Sequence, residues 1–267
     1  MPLASTSDPI TGVVVKVPDS AGAAGNVCLA AREIADASLS EIKYRILRIL
    51  RALGWYDTYP LLVGVWEAPV LRSPSVQLWI PALTDGPPII EGLFEQILEG
   101  VEASFVGSIP TDLPELWQQR LAEDAARIAS ALQQLGYFGR CSLDALLVGQ
   151  TLDSAVPHWI ECNGRWGGVS IPMTIVNRLT SAGTRSKFVV VQRIGGRGPP
   201  QPFATALEAL DGVLFVPGKR ERGVILLSPV EIELGRGVQM VACAETVAAA
   251  RELSGRALAI LGRDVAL

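Results

Sequence analysis

Histidine is almost missing from this chain: His158 stands alone among 267 residues. A zinc site built from several histidines is thereby excluded, and a histidine-based triad would depend on one side chain. Cysteine is scarce as well. Cys28, Cys141, Cys162 and Cys243 lie far apart with no CxxC pair, so they read as reduced thiols of a cytoplasmic protein. There is no surplus of positive charge. The 23 Lys and Arg are scattered against 27 Asp and Glu, for a net charge of −4, which excludes a nucleic-acid-binding surface. No apolar run approaches the roughly 20 residues a membrane helix needs. The opening MPLASTSDPITG has neither the basic nor the apolar segment of a secretory signal. What is present is globular in character, 49% hydrophobic and 19% charged. The length suits one large domain or two to three small subdomains.

The order of elements is read from periodicity. Val13–Val17 (VVVKV) is a β-branched strand carrying one cation, Lys16. PDSAGAAGN follows as a loop of small residues, and Val27–Ala31 is the return strand. Such a tip, with Gly22 and Gly25 in it, lets backbone N–H groups close over phosphates, with Lys16 adding a point charge. It is not a P-loop, because no Lys-Ser/Thr pair follows the last glycine; a plain hairpin with a snorkelling lysine is the simpler alternative. Ser38 and Glu41 form a capping-box pattern before a helix over 38–53. Ile42, Ile46, Ile49, Leu50 and Leu53 make its apolar stripe and Gly54 its end. Leu61–Trp66 and Ser75–Ile80 read as strands, whereas Ile89–Leu98 fits strand or short helix. The clearest helix covers Glu115–Leu135, with Leu116, Leu121, Ala125, Ile128, Leu132 and Leu135 on one face and Gly136 as its cap. Further on, Ile171–Leu179 reads as a helix and Lys187–Val191 as a strand. Gly195–Pro202 is a Gly/Pro-rich boundary. Val213–Val216, Gly223–Leu227 and Gln239–Cys243 read as short strands before a closing helix over Thr246–Leu261. Arg193, Arg197, Lys219, Arg220 and Arg222 flank loops, where such charges are most simply solvated.

The chemistry concentrates between Gly136 and Arg165. GYFGRCSLDALLVG and HWIECNGR read as two strands joined by a turn, with Asp144 on the first and Glu161 and Asn163 on the second. Strand side chains alternate, so Glu161 and Asn163 share a face, and Arg165 joins them if the strand continues. If the strands pair, Asp144 completes a set of three oxygen donors, which suits Mg²⁺ shared with substrate phosphates. Charged groups within apolar strands are costly unless paired or metal-bound. A strand edge with one solvated face is the competing reading.

The run VVVKVPDSAGAAGNV, then GYFGRCSLD, then ECNGRWGG, in that order, resembles the ATP-grasp superfamily over residues 10–180. Within it the tail, RGVILLSP and GVQMVACAETVAAARELSGRAL, is similar to peptide ligases of the pheganomycin type. The resemblance implies an α+β ATP-grasp fold, two α+β subdomains sandwiching ATP, with a small C-terminal α/β subdomain. The expected divisions are 1–65, 66–190 and 191–267. It implies ATP and Mg²⁺ as cofactors, with Asp144, Glu161 and Asn163 as metal ligands. Lys16 and the segment Gly22 to Asn26 would hold phosphates, and Arg165 would stabilise the charge developing in the reaction. Glu67, after LLVGVW, falls where the family places an acid near the ribose; a surface glutamate at a strand end is the alternative. The implied activity is a carboxylate–amine ligase acting on a small-molecule carboxylate and an amine such as an amino acid or peptide, with no nucleic acid and no membrane as partners. Family members carry a domain ahead of the ATP lysine, so the expectation includes a homodimer or a partner supplying that half, and a nucleotide-binding module without turnover is the second reading.

Overall fold

The computed structural model describes residues 11–17, 26–52, 54–56, 60–100, 103–179, 187–194 and 198–262. They fall into two compact units. One comprises Met1–Leu71, Glu99–Phe105 and Val148–Val156; the other comprises Arg72–Leu98, Val106–Leu147 and Pro157–Leu267.

The first unit is built on a hairpin. β1 (Gly12–Lys16) pairs antiparallel with β2 (Asn26–Ala30), and Lys16 stands opposite Asn26. Helix α1 (Ala31–Ile34) is a single turn, and α2 (Leu39–Ala52) is the long helix of the unit. The capping box forms as expected. The Glu41 N–H donates to Ser38 Oγ at 3.3 Å, and the Ser38 N–H donates to Glu41 Oε2 at 2.8 Å. The apolar stripe of α2 packs down on the hairpin, where Val15, Val27, Leu29, Leu50 and Trp55 form a buried core flanked by Ile42, Ile46 and Ile49. β3 (Leu62–Val65) pairs with the other side of β1, giving the order β2-β1-β3, and is exposed along its whole length.

β4 (Val70–Arg72) leads the chain out of this unit. The second unit follows with β5 (Pro74–Ile80), β6 (Ile89–Glu99), β7 (Ser104–Pro110), α3 (Glu115–Gln134), β8 (Gly139–Val148) and β9 (Val156–Asn163). Then come α4 (Ser170–Leu179), β10 (Lys187–Ile194), α5 (Phe203–Leu210), β11 (Gly223–Leu226), α6 (Pro229–Glu233), β12 (Gly237–Ala244) and α7 (Val247–Ile260). Its strands run in the order β11-β12-β10-β7-β6-β5-β8, and β9 also pairs with β8. β5 with β6 and β8, β10 with β7 and β12, and β11 with β12 are all antiparallel. Antiparallel sheets with helices segregated from them make this an α+β architecture, as expected.

Helix α3 lies against β5. Val76, Leu78 and Ile80 alternate down one face of that strand, and Leu121, Ala125 and Ala129 are the buried positions of the helix. Gln133 ties the helix end to the turn after β5, donating from Nε2 to the carbonyls of Pro81 (2.9 Å) and Gly86 (2.8 Å). The expected apolar face of α3 is wrong at its ends: Leu116 and Leu135 are exposed, because the buried stripe runs through Leu121, Ala125, Ala129 and Gln133 and neither leucine falls on it. The far end of the sheet is filled by an apolar core that includes Val189, Val191, Val224, Met240, Ala242, Leu253 and Leu258. At the seam between β7 and β10 an added Cβ on Gly107 would lie 2.2 Å from the Val190 carbonyl oxygen, so the two backbones meet there only through glycine.

The ambiguous Ile89–Leu98 run settles as strand β6. The expected strand over Val213–Val216 does not form. That segment is a 3₁₀ turn, Asp211–Val213, followed by single bridges from Leu214 to Val224 and Val216 to Arg220. Arg220 causes the curl: Nε donates to the Leu214 carbonyl at 2.6 Å, and Nη2 donates to that of Asp211. Of the Gly195–Pro202 boundary, 198–202 has no regular structure and 195–197 lies outside the described residues. Among the described residues no helix is long and apolar enough to cross a membrane.

Candidate functional site

One face of the second unit's sheet is polar where the other is apolar. On β5 the alternation sets Ser75, Gln77 and Trp79 on the face opposite Val76, Leu78 and Ile80. The register then places Ser75 across from Asp144, Gln77 across from Ser142, and Trp79 across from Arg140 on β8. The same face thus receives a carboxylate, two hydroxyls, an amide and a guanidinium.

Asp144 is the hub of this face. It is buried, and it accepts a 2.6 Å hydrogen bond from Ser75 Oγ, which in turn accepts from Gln77 Nε2 at 2.9 Å. Its second oxygen accepts from Asn163 Nδ2 at 3.3 Å, and Asn163 Oδ1 accepts from Arg165 Nη2 at 3.0 Å. Three of the four expected residues, Asp144 on β8, Asn163 on β9 and Arg165 two residues past its end, are therefore joined in one chain of contacts; the strand does not continue to Arg165. Glu161 is exposed, two residues before Asn163 on β9 and on the same face. Pairing of β8 with β9 meets the condition under which Asp144 joins the pair.

The turn after β9 is held from below. The Tyr137 hydroxyl donates to the Arg140 carbonyl, and an added Cβ on Gly164 would lie 3.0 Å from the Tyr137 ring, so a side chain there would push the turn off its support. Burial, and then the neighbouring Cys141 and Cys162, push the Tyr137 phenol above its usual value. Behind the polar face, Cys141 Sγ and Cys162 Sγ are 3.8 Å apart. The contact with Cys141 pulls the Cys162 thiol down to about 7, while hydrogen bonding to Cys162 and burial push Cys141 far up.

A second group sits at the Arg140 end. Glu91 falls where the β5–β6 register shifts, between the Gln77–Gly92 and Leu78–Ile90 pairs, and it forms an ion pair with Arg140. Bulges of this kind re-aim a side chain. The guanidinium carbon of Arg140 lies 5.4 Å from the Trp79 ring centre and 4.6 Å from that of Trp166. Burial draws the Arg140 guanidinium below its ordinary value.

No family model matches the sequence, and no curated protein matches it. Solved structures do. The carboxyaminoimidazole ribonucleotide synthase of Aspergillus clavatus, complexed with ATP, aligns with a TM-score of 0.57 at 14% identity, over 94% of this chain and 62% of that one. The Campylobacter jejuni biotin carboxylase in its β-γ-ATP complex aligns with a TM-score of 0.62 at 13% identity, over 93% and 57%. The chain has the ATP-grasp fold. A third ATP-grasp likeness is the biotin carboxylase domain dimer of the Hydrogenobacter thermophilus 2-oxoglutarate carboxylase, bound to MgADP, ADP and bicarbonate, with a TM-score of 0.59 at 14% identity over 95% and 57%. The chain spans 62%, 57% and 57% of the lengths of these three ATP-grasp structures.

The remaining expected residues belong to the first unit. Lys16 and Asn26 are half-buried and face each other across the hairpin. Glu67 is half-buried just beyond β3. Gly22, Ala23, Ala24 and Gly25 lie outside the described residues. Sequence reasoning missed Ser75, Gln77, Trp79, Glu91, Arg140 and Trp166. The S-x-Q-x-W alternation in PSVQLWI was a usable signal for three of them.

The donor set fits a hard cation in kind. Two carboxylates and an amide oxygen are the ligands Mg²⁺ takes alongside phosphate and water. Among the described residues no group of three or more His, Cys, Asp or Glu gathers to hold a metal.

Proposed function

We propose that this chain is an ATP- and Mg²⁺-dependent carboxylate–amine ligase of the cytoplasm that forms an amide or peptide bond. The observation that supports it most is the Asp144–Asn163–Arg165 chain of contacts on the polar face of an ATP-grasp sheet, with Glu161 beside it. The reading carries over the ATP, ADP and MgADP named for the similar structures.

Asp144, Glu161 and Asn163 would hold Mg²⁺, which would supply charge neutralisation on the transferred phosphate. Asp144 is fixed for this by Ser75, so its carboxylate needs no reordering when the ion binds. Asn163, whose amide oxygen accepts from Arg165, would offer that oxygen to the ion. Arg165, exposed at the end of the strand, is then available to the charge that builds on the reacting group. Lys16 and the segment Gly22 to Asn26 contact phosphate in this reading, and Glu67 binds the ribose. An oxygen of the substrate carboxylate attacks the γ-phosphorus and ADP leaves. The amine then attacks the acyl carbon, and inorganic phosphate departs as the amide forms.

The test is in two steps. ATP with Mg²⁺ raises the melting temperature of the protein, and Glu161→Ala abolishes that rise. Phosphate release then requires an added acid together with an added amine. Stabilisation without release selects the binding module without turnover. No stabilisation in the wild-type chain rejects both.

A further inference from the structure

The Arg140 cluster is not used by the ligase chemistry above, yet it is built with care. Its side chain is 9% exposed, and that of Glu91 is 27% exposed. Among the described residues, Arg140 Nε is buried without a hydrogen-bond partner. An ion pair taken out of water is weakly stabilising at best unless its remaining donors are satisfied, and an orphaned buried donor costs about 1–3 kcal/mol. A fold that needed only a filler between Trp79 and Trp166 would be better served by an apolar side chain.

Three placements point to a ligand. Arg140 lies on the same face of β8 as Asp144, four residues away, which is about 13 Å along the strand. The nitrogen of an amino acid bound at Arg140 would therefore meet an acyl group that extends toward it from the Asp144 end. Glu91 reaches the same spot through a bulge rather than through regular pairing. The two indoles that sandwich the guanidinium are themselves 38% and 48% exposed, so the stack opens to solvent at its rim. Trp166 also follows Arg165 directly, so the rim adjoins the residue placed at the reacting charge.

We propose that Trp79, Glu91, Arg140 and Trp166 form a subsite for a zwitterionic α-amino acid, the amine substrate of the ligase reading on which this rests. The ligand carboxylate takes the Nε–H left unpaired on Arg140, and its ammonium is held by Glu91. A carboxylate and a guanidinium side by side match the two charges of a free amino acid. They match neither a simple amine nor a simple acid, whose single charge would meet one attractive and one repulsive partner. The indoles exclude water from the pair and so strengthen both contacts. Glu91 is also placed to accept the proton that the ammonium must lose before its nitrogen can attack.

The experiment is intrinsic tryptophan fluorescence of the full chain titrated, without ATP, with the twenty common amino acids, their amides and their N-acetyl forms. At least one free amino acid shifts the emission saturably, and its amide and N-acetyl forms bind at least about tenfold more weakly, as loss of one charge-assisted contact implies. Arg140→Met and Glu91→Gln each abolish the shift while keeping the Mg²⁺·ATP rise in melting temperature. Fluorescence that responds to no free amino acid overturns the proposal, as does equal binding of amide and acid, and in either case the cluster is an internal brace. Amino-acid binding in a chain that ATP does not stabilise keeps the subsite and rejects the ligase.

Discussion

The two ends of the large sheet are made of different material. At the β10–β12 end, Val189, Val191, Met240, Val241, Ala242 and Cys243 are buried, so apolar side chains pack on both faces of the paired strands. At the β5–β8 end, only the face against α3 is apolar. The other carries Ser75, Gln77, Asp144 and Arg140, each in contact with a polar neighbour. One fold therefore separates holding from handling. Loss at the first end should appear as instability, and loss at the second as altered ligand response in a protein that still folds.

The largest departure from this contrast would come at the apolar end. Met240 is fully buried, and Met240→Ala should cost about 2–5 kcal/mol of stability, read by denaturant midpoint, with nucleotide affinity unchanged at temperatures where the protein remains folded. If ATP affinity falls instead, the ends are coupled and the division fails. Next in size, Glu161→Ala should lower ATP-dependent turnover by about 100-fold, or roughly 2.7 kcal/mol, with a melting temperature within a degree or two of wild type. A matching loss of stability would return Glu161 to a structural role. Ser75→Ala should be intermediate. It removes the 2.6 Å bond to Asp144 and should weaken Mg²⁺ about tenfold, measured as the metal concentration for half-maximal ATP stabilisation.

The smallest effect concerns Glu95 on β6, which burial pushes above the usual carboxylate range, opposed by the hydrogen bond from the Ser73 N–H and by Arg72. The folded chain therefore holds this proton more tightly than the unfolded one. Stability contributed by the protonated form is present below the unfolded value and fades as pH rises through the folded one. Glu95→Gln should keep the Ser73 contact and remove that fade, so its melting temperature should exceed wild type by a few degrees at neutral pH and converge with it near pH 4. A gap that widens toward acid would reverse the sign.

Much of the scaffold was legible in the sequence because it follows from short-range pattern. The VVVKV hairpin, the Ser38–Glu41 cap, the α3 helix and the alternation of Glu161 and Asn163 in ECN needed only neighbours a few residues away. Asp144 joined them once the strands were taken to pair. Ser75 was out of reach because its meeting with Asp144 spans 69 residues and is set by strand order. Glu91 was hidden for a sharper reason: regular alternation misassigns the residue at a register shift. Helix α5 was missed because Pro202 and the glycines before it suggested a loop, although Pro202 stands at its N-cap. The Arg220 contacts that curl 211–216 involve backbone carbonyls, which leave no trace in residue type.

The closed approach at Gly107 offers a way to find kin where overall identity to the similar folds is only 13–14%. A position with 2.2 Å of clearance is barred to nineteen amino acids however far a lineage drifts. A genome search could therefore ask for few things: glycine late in a strand ahead of the long helix, an aspartate on the next strand, and Glu-x-Asn-x-Arg spaced from it as Glu161 is from Asp144. Chains that keep this sparse signature but exchange Arg140 and Glu91 together would form a natural library of the same scaffold tuned to other substrates.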